Sequence, residues 1–272
     1  MTDTISSAAN PLVKRVRLLA DRKHRRSQGA FVVEGIQPVW RAVEAGWEIE
    51  ALIVAPELLA GSAVTRMIAQ QEAGGVRVAR LSRELFARLS GRGGPAGLAA
   101  IVRGRARGLR DLAAAPGAVF VVLHQIANPG NLGTIIRTVD AAGGSGVILV
   151  GDCTDPFAPA AVKASMGSLF AVDVAHVPDA GTFFGWAAAN GIAVLATSGT
   201  AESEHWSVRY RPPLAVVFGS EGDGLPQDLL ARADLRIRIP MTGTAESLNL
   251  AAAAAVMLYE VRRHAIGTAE PA

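Results

Sequence analysis

Residues 118–143 read "AVFVVLHQIANPGNLGTIIRTVDAAG". The opening apolar run has the length of a buried strand and falls far short of a membrane span. Asn128, Pro129 and Gly130 then break the chain, and the apolar residues return at helical spacing until Gly143 offers a stop. A strand without polar alternation is what a parallel sheet covered on both faces requires. The turn is unusual for one that holds an anion, because phosphate-cradling loops carry their cation or glycines at the turn itself. Here Asn131 occupies the loop, and Arg137, followed by Thr138, stands about two turns into the helix.

The same alternation continues to the end of the chain. Strands are expected at "SGVILVG", "AVDVAHV", "IAVLATSG", "LAVVFGSEG" and "LRIRIPM". Helices are expected at "PFAPAAVKASMGSLF" and "AGTFFGWAAANG", with "SLNLAAAAAVMLYEVRRH" as a long closing helix. Ahead of residue 118, the segment 10–28, "NPLVKRVRLLADRKHRRSQ", reads as one basic helix, and strands and helices again alternate up to "GLAAIVR". These patterns predict an α/β protein with a smaller domain over 1–103, a Gly- and Arg-rich linker over 104–116, and a parallel-sheet domain over 117–266. In such sheets ligands collect beyond the carboxyl ends of the strands.

Composition agrees with a soluble globular chain of two domains: 272 residues, half of them apolar and 19% charged. The first fifteen residues show no secretory pattern, and no apolar run reaches the length of a membrane helix, so a cytoplasmic address is expected. Cys153 is the single cysteine, which excludes internal disulfides and cysteine-based metal sites, and no metal is expected. The net charge of +3 hides an uneven distribution. Residues 1–110 carry 18 Lys and Arg against 9 Asp and Glu, or +9, and the remainder carries −6. A basic leading half points to a polyanion. Its candidate contacts are Lys14, Arg15, Arg22, Lys23, Arg25 and Arg26, with a solvated helix face as the competing reading.

Three loops hold residues that a core does not ask for: "NPGNLGTIIRT", "FGSEGDGLP" and "IPMTGTAESLN". In the second, glycines surround Glu221, which alone is equally a surface turn carboxylate. In the third, Ser247 and Asn249 flank Leu248 at the mouth of the last helix, where a serine is also a favoured cap.

Together the three loops resemble the motifs of the SpoU/TrmH branch of SPOUT-class RNA ribose 2′-O-methyltransferases. Asn131, Gly133, Arg137 and Thr138 match the first motif. Phe218, Gly219, Glu221 and Gly224 match the second, and Ile239, Pro240, Met241, Ser247, Leu248 and Asn249 the third. The leading segment resembles the RNA substrate-binding domain often found ahead of it, through "NPLVKRVRLLADRKHRRSQGAFVVEG" and "PAGLAAIV". The resemblance implies a C-terminal segment threaded into a deep trefoil knot, homodimers formed through the C-terminal domain, and S-adenosylmethionine as methyl donor. Carried over by position, the donor would be held by Thr197, Ser198, Gly199, Phe218, Gly219, Gly224, Ile239, Met241, Ser247 and Leu248. Catalysis would fall to Arg137, with Asn131, Glu221, Ser247 and Asn249 orienting it and the ribose. Lys163 would join the RNA contacts, a solvated lysine being the alternative.

The chain departs from the family pattern at Asn128 and at His124–Gln125, positions often acidic, and at Ala96, often glutamine. These departures bear on the choice of RNA. In the family it resembles, a separate basic leading domain is more typical of members acting on large ribosomal RNA, so the resemblance implies 23S rRNA as substrate, with transfer RNA as the alternative. Two other classes compete. A Rossmann-type nucleotide enzyme is disfavoured because the first strand is followed by "NPGNLGTIIR" and not by G-x-G-x-x-G. A non-catalytic RNA-binding relative is disfavoured by the intact motif residues.

Overall fold

A computed structural model describes residues 4–267 except 91–93, 95 and 106, with side chains to residue 264. Helices α1 (Pro11–Leu18) and α2 (Arg22–Gln28) lead into β1 (Ala30–Glu34), α3 (Ile36–Glu44), β2 (Ile49–Val54), α4 (Ser62–Ala73), β3 (Arg77–Arg80), α5 (Arg83–Leu89) and β4 (Leu98–Arg103). There follow β5 (Val119–His124), α6 (Pro129–Ala142), β6 (Gly146–Val150), α7 (Pro159–Ser165), β7 (Val174–Val177), α8 (Ala180–Ala189) and β8 (Ala193–Thr197). The chain closes with β9 (Ser203–Glu204), β10 (Leu214–Phe218), α9 (Gln227–Arg232), β11 (Leu235–Arg238) and α10 (Leu250–Gly267). Two compact units result: the chain up to Arg105 together with Phe157–Ala171, and Ala106–Pro156 together with Val172 onward.

The first unit is a four-stranded sheet in the order β1-β4-β2-β3. Its central strand β4 is antiparallel to both β1 and β2, and β2 runs parallel to β3. Leu98, Ala100, Ile101 and Val102 of β4 are fully buried, as a strand covered on both faces demands. Segment 10–28 folds as two helices and not as one. Asp21 starts α2 by accepting from the Lys23 N–H at 2.7 Å, a local bond that competes with helix continuation. The carbonyls freed at the end of α1 are taken by Arg25, whose Nη1 donates to Leu19 O at 3.0 Å and Ala20 O at 2.7 Å.

The expected RNA contact at Arg25 is thereby corrected, and Arg15 has partners within the fold. Arg25 is buried, 6% exposed, and serves the break between the helices. Arg15 pairs with Glu50 at 2.5 Å and donates to Gln28 at 2.8 Å, tying α1 to β2 and to the end of α2. Lys14, Arg22, Lys23 and Arg26 stand at the surface, as does Lys163 on α7.

The segment Phe157–Ala171, read from sequence as part of the second half, packs in the first unit for an aromatic reason. Phe157 stacks on Phe31 with centroids 4.5 Å apart, and Trp47 sits edge-on to Phe170 at 5.2 Å while its Nε1 donates to the Phe170 carbonyl. The expected single helix there is also shorter. It ends at Ser165, where Met166 takes a positive φ of 50°.

The second unit is a seven-stranded sheet in the order β7-β6-β5-β10-β8-β11-β9, with every neighbouring pair parallel. Phe120, Val121, Val122 and Leu123 of β5 and Leu214–Phe218 of β10 form its buried centre. Leu109 and Leu112, inside the stretch read as linker, are buried in this core. The two-residue strand β9 was not foreseen.

Arg25→Ala should lower the stability of the chain by about 1–3 kcal/mol, since the buried Leu19 carbonyl and the part-buried Ala20 carbonyl lose their donor. Exposed Arg26→Ala should change it by no more than about 0.5 kcal/mol. Urea denaturation of both variants checks the contrast, and equal midpoints would sink the structural role of Arg25.

Candidate active site

The site is assembled beyond the carboxyl ends of β5, β8, β10 and β11. After β5, Asn128 caps α6, its Oδ1 accepting from the N–H groups of Gly130 at 2.8 Å and Asn131 at 3.2 Å. Pro129 stands at the first helical position, where its missing N–H costs nothing. This cap delivers Asn131 to the first turn of α6 with its side chain buried.

The Asn131 carboxamide works at both ends. Its Nδ2 donates to Glu221 Oε1 at 3.0 Å, and its Oδ1 accepts from Asn249 Nδ2 at 3.1 Å. The orientation follows from chemistry, because an ionised carboxylate only accepts and so must face the amide nitrogen. Asn249 in turn caps α10, its Oδ1 accepting from the Ala251 N–H at 2.9 Å. One side chain therefore joins the turns after β5 and β10 and the entry to α10.

Burial pushes the Glu221 carboxyl up, but hydrogen bonds from Asn131 Nδ2 and from the N–H groups of Glu221, Ala127 and Asn128 outweigh it. The group is held below its ordinary value of 4.5 and is ionised at neutral pH. The loop that carries it folds back on itself. Ser220 and Gly224 exchange backbone bonds of 3.2 Å, and Gly224 has φ 68°. A Cβ on Gly219 would fall 2.0 Å from the Gly224 carbonyl carbon, so only glycine fits there.

Behind these loops lies a cavity of about 1050 Å³. All ten residues expected to hold the methyl donor line it: Thr197, Ser198, Gly199, Phe218, Gly219, Gly224, Ile239, Met241, Ser247 and Leu248. Its volume lies near the upper end of small-molecule sites, and its walls mix apolar side chains such as Phe218, Leu225 and Ile239 with polar and charged ones. Such a lining suits a nucleoside joined to an amino-acid tail. Glu221 and Asn249 face the same cavity, so the Asn131 tie borders it directly.

Two expected catalytic groups do not join that tie. Arg137 is exposed on α6 and makes no hydrogen bond or ion pair among the described residues, so the bonds expected from Asn131, Glu221, Ser247 and Asn249 are not formed. Helix geometry explains this, since six residues separate it from Asn131, which is about 9 Å of rise and a different face. Ser247 lines the cavity but caps nothing, because Asn249 does so. Sequence reasoning missed Glu204 and Arg238, which pair at 3.1 Å at the cavity wall. Glu204 also accepts from Trp206 Nε1 at 2.9 Å. Their signal is faint, as β9 holds two residues and the pair meets only through the β9–β11 register.

A cavity where the strand-end loops of a parallel α/β sheet converge is where proteins of this class bind small molecules. Comparison with known proteins makes the assignment finer. Residues 118–259 match the SpoU rRNA Methylase family, and residues 10–100 match the MRM3-like substrate binding domain. The chain belongs to the SpoU rRNA methylase family. It is 31% identical to the 23S rRNA (uridine(2479)-2′-O)-methyltransferase of Streptomyces viridochromogenes, over 92% of this chain and 88% of that protein. Against the 23S rRNA (guanosine(2553)-2′-O)-methyltransferase RlmP of Bacillus subtilis the identity is 29%, over 95% and 98%. The AdoMet-bound rRNA methyltransferase from Sinorhizobium meliloti superposes with a TM-score of 0.88 at 38% identity, covering 96% of this chain and 98% of that one.

The depressed Glu221 value has a consequence for stability. A carboxylate whose folded value lies below its free value stabilises the fold above about pH 4.5 and loses that contribution as pH falls through the folded value. Glu221→Gln should therefore be less stable than the parent at pH 7, with the gap closing in acid. Thermal melts of both proteins from pH 7 to 3 measure it; a gap that stays constant contradicts the ionised tie.

Proposed function

We propose that the protein transfers a methyl group from S-adenosylmethionine to a ribose 2′-hydroxyl of 23S ribosomal RNA. The observation that carries this reading is the convergence of the three motif loops on one cavity, with an ionised Glu221 and two asparagines at its border. Family membership and the names of the full-length relatives support the reaction and its substrate. Transfer RNA is the less favoured substrate, since the likeness to the 23S rRNA enzymes spans the leading unit as well as the second.

When bound, S-adenosylmethionine supplies a methyl group already activated on a sulfonium. The chain has to bind it, orient the acceptor and stabilise the charge that develops on the ribose oxygen. The cavity loops hold the donor. Glu221 and Asn249, fixed through Asn131, orient the ribose. Arg137 supplies the cation: unpaired in the chain itself, its planar fork is free to take an RNA phosphate and the 2′-oxygen together. A guanidinium with a pKa above about 12 does not accept the hydroxyl proton. As the 2′-oxygen takes the methyl group, its proton is released to solvent and S-adenosylhomocysteine is the leaving group.

Three finer features belong to the same reading. The C-terminal segment is threaded as a trefoil knot, supported by the way 239–241 and 247–250 line one cavity with 197–199 and 218–225. The active form is a homodimer through the second unit, supported by Val256 and Tyr259, which α10 leaves 36% and 53% exposed. Action on ribosomal RNA places the protein in the cytoplasm; no helix among the described residues is long and apolar enough to cross a membrane. In the first unit, Lys14, Arg22, Lys23, Arg26 and Lys163 contact RNA phosphates.

Arg137→Ala should lower methyl transfer by at least about 10³-fold, the scale of a lost charge-stabilising group, and leave donor affinity nearly unchanged. Tritium transfer from labelled S-adenosylmethionine into ribosomal RNA, paired with calorimetric titration of the donor, reads both quantities. Wild-type activity in the variant would refute the assignment.

A further inference from the structure

We propose that Gln125 reads a nucleobase of the RNA, its side-chain amide pairing with a base edge that presents a donor beside an acceptor. This rests on the RNA-methyltransferase reading above and adds a specificity-determining residue to it. Gln125 follows β5 with φ 53°, and among the described residues only Met166 is another non-glycine with positive φ. Glycine adopts that conformation freely, whereas a side chain makes it costly. Strain of this kind persists where the surroundings over-determine it.

The surroundings do so here. The Gln125 N–H bonds to the Val150 carbonyl at 3.0 Å, and the carbonyl of buried Ile126 accepts from the Thr154 N–H at 2.8 Å. The side chain then lies across Gly151, which itself has φ 76° at the end of β6. A Cβ on Gly151 would come within 3.2 Å of Gln125 Cγ and 3.6 Å of its Nε2, so the glycine leaves the seat that the glutamine fills. Yet Gln125 is exposed, and its amide makes no hydrogen bond among the described residues. The backbone bonds account for the main chain, and the side-chain amide itself serves no internal polar bond. The strained turn presents that amide to solvent in a fixed place.

That place adjoins the reaction site. The N–H groups of Ala127 and Asn128 bond to the Glu221 carboxylate, and Ala127 is two residues from Gln125, about 7 Å of extended chain at most. A base on the methylated nucleotide, or on its neighbour, falls within reach of the side chain. Unstacked RNA exposes base edges for this purpose. A carboxamide offers a donor and an acceptor side by side, which matches adenine N6 and N7 and rejects edges of uniform polarity.

Two variants of the full chain separate strain from recognition. Gln125→Leu keeps the bulk over Gly151 and loses the amide. It should raise KM for ribosomal RNA about tenfold, the discrimination of one good base pairing. Its kcat should stay within about twofold and its S-adenosylmethionine affinity should not change. Gln125→Gly relieves the backbone, so its melting temperature should rise while KM for RNA rises as in the leucine variant. Wild-type KM in both variants, with the parent active, overturns the role of Gln125 and leaves the methyltransferase reading standing. A melting temperature that falls in Gln125→Gly overturns the strained seat. A parent that transfers no methyl group to any ribosomal RNA overturns the methyltransferase reading and this inference with it.

Discussion

A single carboxamide holds the site together. Asn131 donates to Glu221 and accepts from Asn249, joining loops that lie 90 and 118 residues away along the chain. Each partner is fixed by a second interaction: Asn131 by the cap that Asn128 places on α6, Glu221 by backbone N–H groups, and Asn249 by its own cap on α10. The tie is directional as well as strong, because an ionised carboxylate at one end dictates which end of the amide meets Asn249. Only Asn131 is buried, and its two bonds fix the orientation of the exposed Glu221 and Asn249 side chains beside it.

That constraint divides the labour among the residues. The cavity is lined by apolar, polar and charged side chains and bordered by the turn 219–225, where only glycine at 219 fits. The cation stands outside the tie. Arg137 carries a cation that nothing among the described residues neutralises, so its full charge is available to a polyanionic substrate. Gln125 is the corresponding neutral group, an amide held out at an energetic cost on the same strand end that leads to Asn131.

The first unit shows why clustered basic residues do not translate directly into an RNA footprint. Of the expected contacts on 10–28, Arg25 is spent on the carbonyls between α1 and α2, and Arg15 on Glu50 and Gln28. Lys14, Arg22, Lys23 and Arg26 keep their exposure and with it the capacity to meet phosphates. Burial or a role inside the fold withdraws a basic side chain from that surface, and sequence alone does not reveal which ones are withdrawn.

The amino-acid sequence by itself determined the fold class, the parallel sheet and the three loops. Unbroken apolar strands, glycine stops and motif spacing are local properties that folding does not rewrite. The ten residues expected to hold the donor line one cavity, because strand-end loops of a parallel sheet have one side on which to converge. Only the tertiary structure decided which polar groups touch. It paired Asn131 with Glu221 and Asn249 while leaving Arg137 apart, gave the cap of α10 to Asn249, and moved Phe157–Ala171 into the first unit through Phe31 and Trp47. The positive φ of Gln125 and the Glu204–Arg238 pair were equally illegible beforehand. Hydrogen bonds and ion pairs act over about 3 Å, and contacts that short between distant segments depend on register, helix phase and rotamer, none of which a one-dimensional pattern contains.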